Sequence, residues 1–182
     1  MKLIIASDIH GSAKWCRMLL EEFHNQTADR LILLGDLLYH GPRNDFPDEY
    51  APKEVFAMLN SIKNKITAIR GNCDSEVDQM VLEFPCLADY ALIDDNGRTL
   101  FLTHGHLYNA QALPLLKKGD LLLNGHFHAP CFQTLENGAY YANCGSTALP
   151  KEDTPHSYLV YENGELTFVD LETGGLFDCV RL

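Results

Sequence analysis

Seven side chains able to bind a metal ion follow one another along the chain: Asp8, His10, Asp36, Asn72, His104, His126 and His128. Each stands beside a glycine or at the end of an apolar run, in the strings SDIHG, LLGDLL, IRGNCDSE, THGHLY and NGHFH. Carboxylate, amide oxygen and imidazole suit Mn²⁺, Fe or Zn²⁺, and the lack of thiolate partners argues against a structural zinc site. The chemistry such a set supports is hydrolysis at a two-metal centre.

Taken singly, each residue has a plainer explanation. Asp8 and Asp36 read as helix caps or turn residues, and Asn72 as a turn residue in a left-handed conformation. Asp8 and His10, two apart after a strand, are expected to project from one side of the chain. The histidines around Gly105 and Phe127 read as two partly buried pairs. Two H-x-H units, each after an expected strand, strain that explanation, and the ordered set outweighs it.

These residues need elements that bring them together. Lys2 to Ser7, Leu31 to Leu34 and Ile66 to Ile69 are short apolar runs that stop at Asp8, at Gly35-Asp36 and at Arg70-Gly71-Asn72. Between them, Ser12 is suited to cap a helix carrying Trp15, Met18, Leu19 and Phe23, and Pro52 to open one carrying Val55, Phe56, Leu59 and Ile62. A β-α-β-α-β order predicts a parallel sheet with right-handed crossovers, and such sheets place their site beyond the carboxyl ends of the strands. Three strands thus deliver Asp8, Asp36 and Asn72 to one edge.

Later segments change character. Leu87–Ile93 and Thr99–Thr103 flank Asp94-Asp95-Asn96-Gly97, a hairpin signal, and Asn137-Gly138 and Asn163-Gly164 mark two more. Leu121 to Leu123 reads as a strand running into the Gly125-His126 string. Gln111 to Lys118 reads as a helix stopped by Gly119. The late antiparallel strands are expected to form a second sheet packed on the first. The proline-rich stretch His40–Ala51 reads as a loop over the site.

At 182 residues the chain is long enough for one well-buried core and is read as a single domain, 1–182. Its 14 basic and 25 acidic residues leave a net charge of −11, which argues against a long nucleic acid or an anionic lipid surface as partner. A small phosphorylated substrate stays open, because bound cations reverse the local field. No apolar run approaches a membrane span, and the run Leu3–Ala6 is too short for a secretory signal. Six cysteines without C-x-x-C spacing then read as free thiols in a reducing cytoplasm.

The ordered strings D-x-H, G-D, G-N-x-[DE], a lone H and G-H-x-H, from Asp8 to His128, resemble the calcineurin-like metallophosphoesterases. GDLLYHGPRN and RGNCDSEVDQM look closer still to the small bacterial phosphodiesterases of the YfcE type. The resemblance implies an α/β fold in which a two-sheet β-sandwich is flanked by helices, a four-layer α-β-β-α arrangement. It also implies two divalent metal ions, with Mn²⁺ favoured and Zn²⁺, Fe or Ni²⁺ as alternatives. One ion would be held by Asp8, His10, Asp36 and His128, the other by Asp36, Asn72, His104 and His126. Asp36 would bridge them at about 3.5–4 Å, and a water between them would attack phosphorus.

Many members of that family carry His after the Asn, where it is thought to protonate the leaving oxygen with the next acidic residue orienting it. Here Cys73 and Asp74 stand in those places. A thiol is a weak hydrogen-bond donor, and losing a general acid costs about 10²–10⁴ in rate, chiefly with basic leaving groups. The expectation is therefore a preference for phosphodiesters with good leaving groups, unless Cys73 is merely a small buried residue. In the loop after Asp36, Arg43 and Asn44, with His40, are candidates for substrate phosphate, against a plain turn at Gly41-Pro42. His106 reads as supporting the ligands or bonded to the backbone, His24 and His156 as surface residues, and Arg70 as a phosphate clamp or an ion-pair partner.

The function expected is hydrolysis of a small soluble phosphodiester. Alternatives are a phosphomonoesterase, or a catalytically weak scaffold of the same fold, whose ligand positions would be expected to decay. A nuclease would need a basic groove, which the charge opposes. Leu176 and Phe177 either finish the core or support a homo-oligomer.

Overall fold

Leu3, Ile4, Ile5 and Ala6 are all fully buried, although successive strand residues point to opposite faces. Burial on both faces belongs to the middle of a covered sheet, and the computed structural model, which describes residues 1–182, puts this segment there. Strand β1 (Lys2–Ala6) pairs in parallel with β2 (Arg30–Leu33), and β2 with β3 (Ile66–Ala68). Helices α1 (Ala13–Asn25) and α2 (Pro52–Ser61) make the crossovers. The Ser12 hydroxyl caps α1 by accepting the Trp15 amide, and Pro52 occupies the first turn of α2, as expected from the sequence. Trp15, Leu19 and Phe23 pack with Val55 and Leu59 against this sheet. A single short turn, α3 (Glu76–Gln79), follows the third strand.

The second sheet has the order β4-β5-β6-β8-β7, built from β4 (Tyr90–Asp95), β5 (Arg98–Thr103), β6 (Leu121–Asn124), β7 (Cys131–Thr134) and β8 (Tyr140–Asn143). Hairpins turn at Asn96-Gly97 and Asn137-Gly138, where the sequence places them.

The last strands go elsewhere than expected. Strands β9 (Ser157–Glu162), β10 (Glu165–Asp170) and β11 (Leu176–Arg181) do not join the second sheet. They extend the first one, in the order β11-β10-β9-β1-β2-β3, with β9 antiparallel to β1. Burial explains the placement. Tyr158 and Val160 feed the layer under the helices, whereas Leu159 and Tyr161 feed the layer between the sheets. Only a strand covered on both sides satisfies all four residues.

Residues 111–118 form no helix. Pro114 removes an amide donor from the middle of the stretch, and the Asn109 side chain captures the amides of Gln111 and Ala112 at 2.9 Å each. Leu116, Tyr108 and Ala110 nevertheless cover the outer face of the second sheet, over Phe101 and Leu122. The architecture is thus the expected two-sheet sandwich with helices against the first sheet. Its fourth layer is an irregular segment.

Two further expectations need correction. His156 is no free surface residue: its ring stacks on Trp15 with centroids 3.6 Å apart, and its Nδ1 meets the Thr147 carbonyl at 2.7 Å. Leu176 and Phe177 do not finish the core, since on the edge strand β11 they are 71% and 44% exposed. No helix is long and apolar enough to cross a membrane.

Candidate metal centre

Every candidate ligand sits just past the carboxyl end of a strand: Asp8 and His10 after β1, Asp36 after β2, Asn72 after β3, His104 after β5, His126 and His128 after β6. Strand alternation is not what aims them. Asp8, His10, Asp36, His126 and His128 all have positive φ, between 48° and 68°. For residues with a Cβ this conformation is costly, and it persists only where surrounding bonds impose it. The first loop is laced to the second, with the His10 amide on the Asp36 carbonyl at 2.9 Å and the Asp8 amide on that of Gly35 at 3.0 Å. Loops pressed this close need glycine. A Cβ at Gly71 would overlap Asp36 Oδ1, and one at Gly125 would overlap Ser7 and Asp8.

The donors fall into two groups that share Asp36. In the first, Asp8 Oδ1 lies 3.5 Å from His10 Nε2 and 3.2 Å from His128 Nε2, and Asp36 Oδ2 lies 3.7 Å from His10 Nε2. The two Nε2 atoms are 3.4 Å apart. In the second, His104 Nε2 lies 3.5 Å from Asp36 Oδ2, 3.1 Å from Asn72 Oδ1 and 3.2 Å from His126 Nδ1. The Nδ1 atoms of His10, His104 and His128 meet the carbonyls of Tyr39, Leu34 and Leu149 at 2.6–2.7 Å. An Nδ1–H spent on a carbonyl fixes the tautomer and leaves the Nε2 lone pair facing inward.

Such a cluster fits a divalent cation. Asp8 Oδ1 is buried and accepts no hydrogen bond, and an unpaired buried carboxylate oxygen is expensive unless a cation meets it. Oxygen and imidazole donors match Mn²⁺, Fe or Zn²⁺, and Cys73 Sγ also comes within 4.8 Å of the His10 and Asp36 donor atoms. Charge reinforces the fit. Burial opposes ionisation of Asp8 and Asp36, but the neighbouring histidines outweigh it and hold both carboxyls below their usual range. Burial likewise opposes a charge on His104, yet the Asp36 and Asp8 carboxylates push it up to about 9. His126, half buried and facing His104, falls to about 4.

Above the donors opens a cleft of about 390 Å³, whose walls include Arg43, Asn44, Cys73, Phe127 and Lys151. Arg43 and Asn44, the candidates for substrate phosphate, thus line the cleft, and the Asn44 amide also braces its own loop by donating to the His40 carbonyl at 2.8 Å. His40 packs among Tyr39, Phe46 and Tyr50 instead of lining the cleft. Cys73 lies 3.3 Å from Asn72 Nδ2. Burial and the nearby Asp36 carboxylate push its thiol well above the usual range, so it stays protonated at neutral pH. Asp74 does not line the cleft. Its carboxylate accepts the amides of Gly71 at 2.7 Å, Asp36 at 2.8 Å and Leu37 at 2.8 Å.

His106 stands beside the second group, its ring centroid 5.4 Å from that of His104, but it is not backbone-bonded, and its buried Nδ1 has no partner. Arg70 is an ion-pair partner, bonded to Asp89 at 2.5 Å. Sequence reasoning missed Lys151, which nothing in its local string distinguishes. It also missed Ser146 and Thr147, whose amide or hydroxyl groups bond the Ser7 and Asp8 carbonyls and hold the first ligand loop. For these two a signal existed: Gly145-Ser146-Thr147 is separated by one residue from the end of a buried strand, β8.

Two stacked sheets with Asp, Asn and His donors gathered at their strand ends define a metallophosphoesterase. Residues 1–165 match the calcineurin-like phosphoesterase superfamily domain, and the chain belongs to that family. It is 44% identical over 171 residues to phosphodiesterase YfcE of Escherichia coli strain K12, covering 94% of this chain and 92% of that protein. The solved structure of the E. coli phosphoesterase YfcE superposes with a TM-score of 0.96 at 42% identity, covering all of this chain and 99% of that one. The Zn²⁺ complex of Vps29 from Entamoeba histolytica shares the fold, with a TM-score of 0.63 at 19% identity over 100% and 98% of the two chains.

Proposed function

We propose that the protein is a metal-dependent phosphodiesterase that hydrolyses a small phosphodiester. The observation that carries this reading is the pair of donor groups meeting at Asp36 in a cleft that Arg43 and Lys151 help to line. Asp8, His10, Asp36 and His128 would hold one divalent ion, and Asp36, Asn72, His104 and His126 a second. When bound, the ions lower the pKa of water and neutralise charge on the phosphoryl oxygens. Mn²⁺ is the ion proposed, with Zn²⁺, Fe or Ni²⁺ as alternatives allowed by the same donors.

The chain's own residues do the rest. Arg43 and Lys151 bind the free phosphoryl oxygens and hold the diester so that water attacks phosphorus in line with the departing ester oxygen. One P–O bond forms, one ester P–O bond breaks, and the alcohol leaves with a proton. Cys73, which lines the cleft, would meet the leaving oxygen as a protonated but weak donor, which favours leaving groups needing little help. Asp74 acts by positioning the loops of Asp36 and Asn72. A net charge of −11 disfavours long nucleic acids, and six free thiols suit the cytoplasm. Residues 1–182 are proposed to act as one phosphoesterase domain.

The test strips the protein of metal and assays bis-p-nitrophenyl phosphate and p-nitrophenyl phosphate with Mn²⁺ restored. Mn²⁺-dependent cleavage favouring the diester and lost in Asp36→Ala is the expected result. Equal or better monoester cleavage would overturn the diesterase assignment. Inactivity with every metal would favour a scaffold.

A further inference from the structure

A diester carries two organic arms, and only one leaves. The walls around the metal donors are mainly polar, and apart from Phe127 they offer the retained arm little apolar surface. Beside them lies a second cavity, also of about 390 Å³, with the opposite character: Phe132, Tyr141, Pro130 and Cys131 from and beside strands β7 and β8 line it, and Glu152 and Gln111 stand at its rim. Phe127 belongs to both walls. Successive residues divide between the two spaces, His128 facing the metal donors and Ala129 the second cavity, Lys151 the first and Glu152 the second. The cavities are therefore adjoining compartments of one surface.

Phe127 itself needs explaining. It sits between two candidate ligands, is 43% exposed, and joins none of the hydrophobic clusters. An aromatic side chain left in water beside a catalytic centre gives up burial that a bound ring would restore. Tyr141, by contrast, is only 4% exposed and is packed into the cluster on the outer face of the second sheet, so its part of the wall is held in place.

We propose that this second cavity is the subsite for the retained ester arm and that it selects an arm bearing a planar ring. The inference rests on the phosphodiesterase reading above. A ring entering from the metal cleft would lie against Phe127, with Tyr141 and Cys131, which share the outer face of the second sheet, as its floor. The carboxylate of Glu152 and the amide of Gln111 would accept hydrogen bonds from donors on its edge. Methyl and other short alkyl arms would leave the cavity to water.

Phenyl p-nitrophenyl phosphate and methyl p-nitrophenyl phosphate test this directly. Both release p-nitrophenolate, so they differ only in the retained arm. The readout is the phenyl-to-methyl ratio of kcat/KM, divided by the same ratio for uncatalysed hydrolysis. For the Mn²⁺-loaded protein that quotient is expected to be about tenfold or more, the discrimination a fitted apolar pocket supplies. Phe127→Ala, which removes the shared wall, and Cys131→Trp, which fills the cavity from an exposed position, should each bring it towards one.

A quotient near one in the unaltered protein would overturn the subsite while leaving the diesterase reading intact. So would a quotient that survives Cys131→Trp. Failure to hydrolyse either diester with any metal would sink the diesterase reading and the subsite together.

Discussion

Asp36 and Asp74 clasp each other's loops: Asp74 Oδ2 accepts the Asp36 amide at 2.8 Å, and Asp36 Oδ1 accepts the Cys73 amide at 2.8 Å. One side of the Asp36 carboxylate is thus spent on the loop after β3, while Oδ2 faces His10 and His104. The residue common to both donor groups is aimed by a buried neighbour that never reaches the cleft.

Asp74→Asn tests that clasp. The amide keeps one acceptor oxygen and turns an NH₂ group against backbone donors, so at least one of three buried N–H bonds is lost. A loss of about 1–3 kcal/mol in folding stability is expected, with metal affinity falling about 10–100-fold, as for other residues that orient ligands. Denaturant melts and calorimetric metal titration measure the two effects. Unchanged metal affinity would show that Asp36 needs no such support.

Metal uptake should expel protons. His104 is held protonated up to about 9 by Asp36 and Asp8, in spite of its burial, and His10 is raised in the same direction. A cation must take the Nε2 lone pair, so at pH 7.5 binding should release on the order of one proton per protein. Titrations in two buffers of different ionisation enthalpy would read it. The sign for stability follows from the same shift. A histidine raised above its ordinary 6.5 stabilises the metal-free fold most below that pH and loses the contribution as pH climbs through 9. The melting temperature of the metal-free protein should therefore fall between pH 6.5 and 9, and loading with Mn²⁺ should flatten the decline.

Gly71→Ala isolates sterics from charge. Gly71 does not require positive φ, so one added methyl group is the whole perturbation, and it lands on Asp36 Oδ1. The expected outcome is at least about tenfold weaker metal binding in a protein whose circular dichroism stays native. Gly125→Ala should act likewise through Asp8. Elemental analysis after dialysis against a fixed Mn²⁺ concentration checks both.

Much of this donor cluster was legible because each candidate ligand stands near where an apolar run meets a glycine. The run tells of a buried strand, and the glycine of a backbone close to another loop, so Asp8, Asp36 and Asn72 announce a shared edge. Lys151 was not legible. It reaches the cleft through a turn after Pro150 whose position depends on strand β9 leaving for the first sheet, a tertiary choice. The failure at residues 111–118 is local: apolar spacing suggested a helix, but Pro114 and the Asn109 side chain competed for the same backbone. The hairpins at Asn96-Gly97 and Asn137-Gly138 joined the second sheet as expected, but the one at Asn163-Gly164 extends the first, because alternation tells which residues are buried and not against what.

Cys73→His addresses the chemistry of the leaving group. In the parent protein the thiol stays protonated, since burial and the carboxylate of Asp36 push its ionisation far above neutral pH, and a neutral thiol is a poor proton donor to an alkoxide. An imidazole at this position, which lines the cleft, would supply a donor that titrates near the working pH. Turnover of diesters with basic leaving groups, and of alkyl monoesters, should rise by about 10²-fold or more. With p-nitrophenolate as leaving group the gain should be small, because that departure needs little protonation. The slope of log kcat against leaving-group pKa is the measurement, and it should flatten in the variant. An equal slowing of every substrate would instead mean that Cys73 is there for its size, in the tight space beneath Gly41.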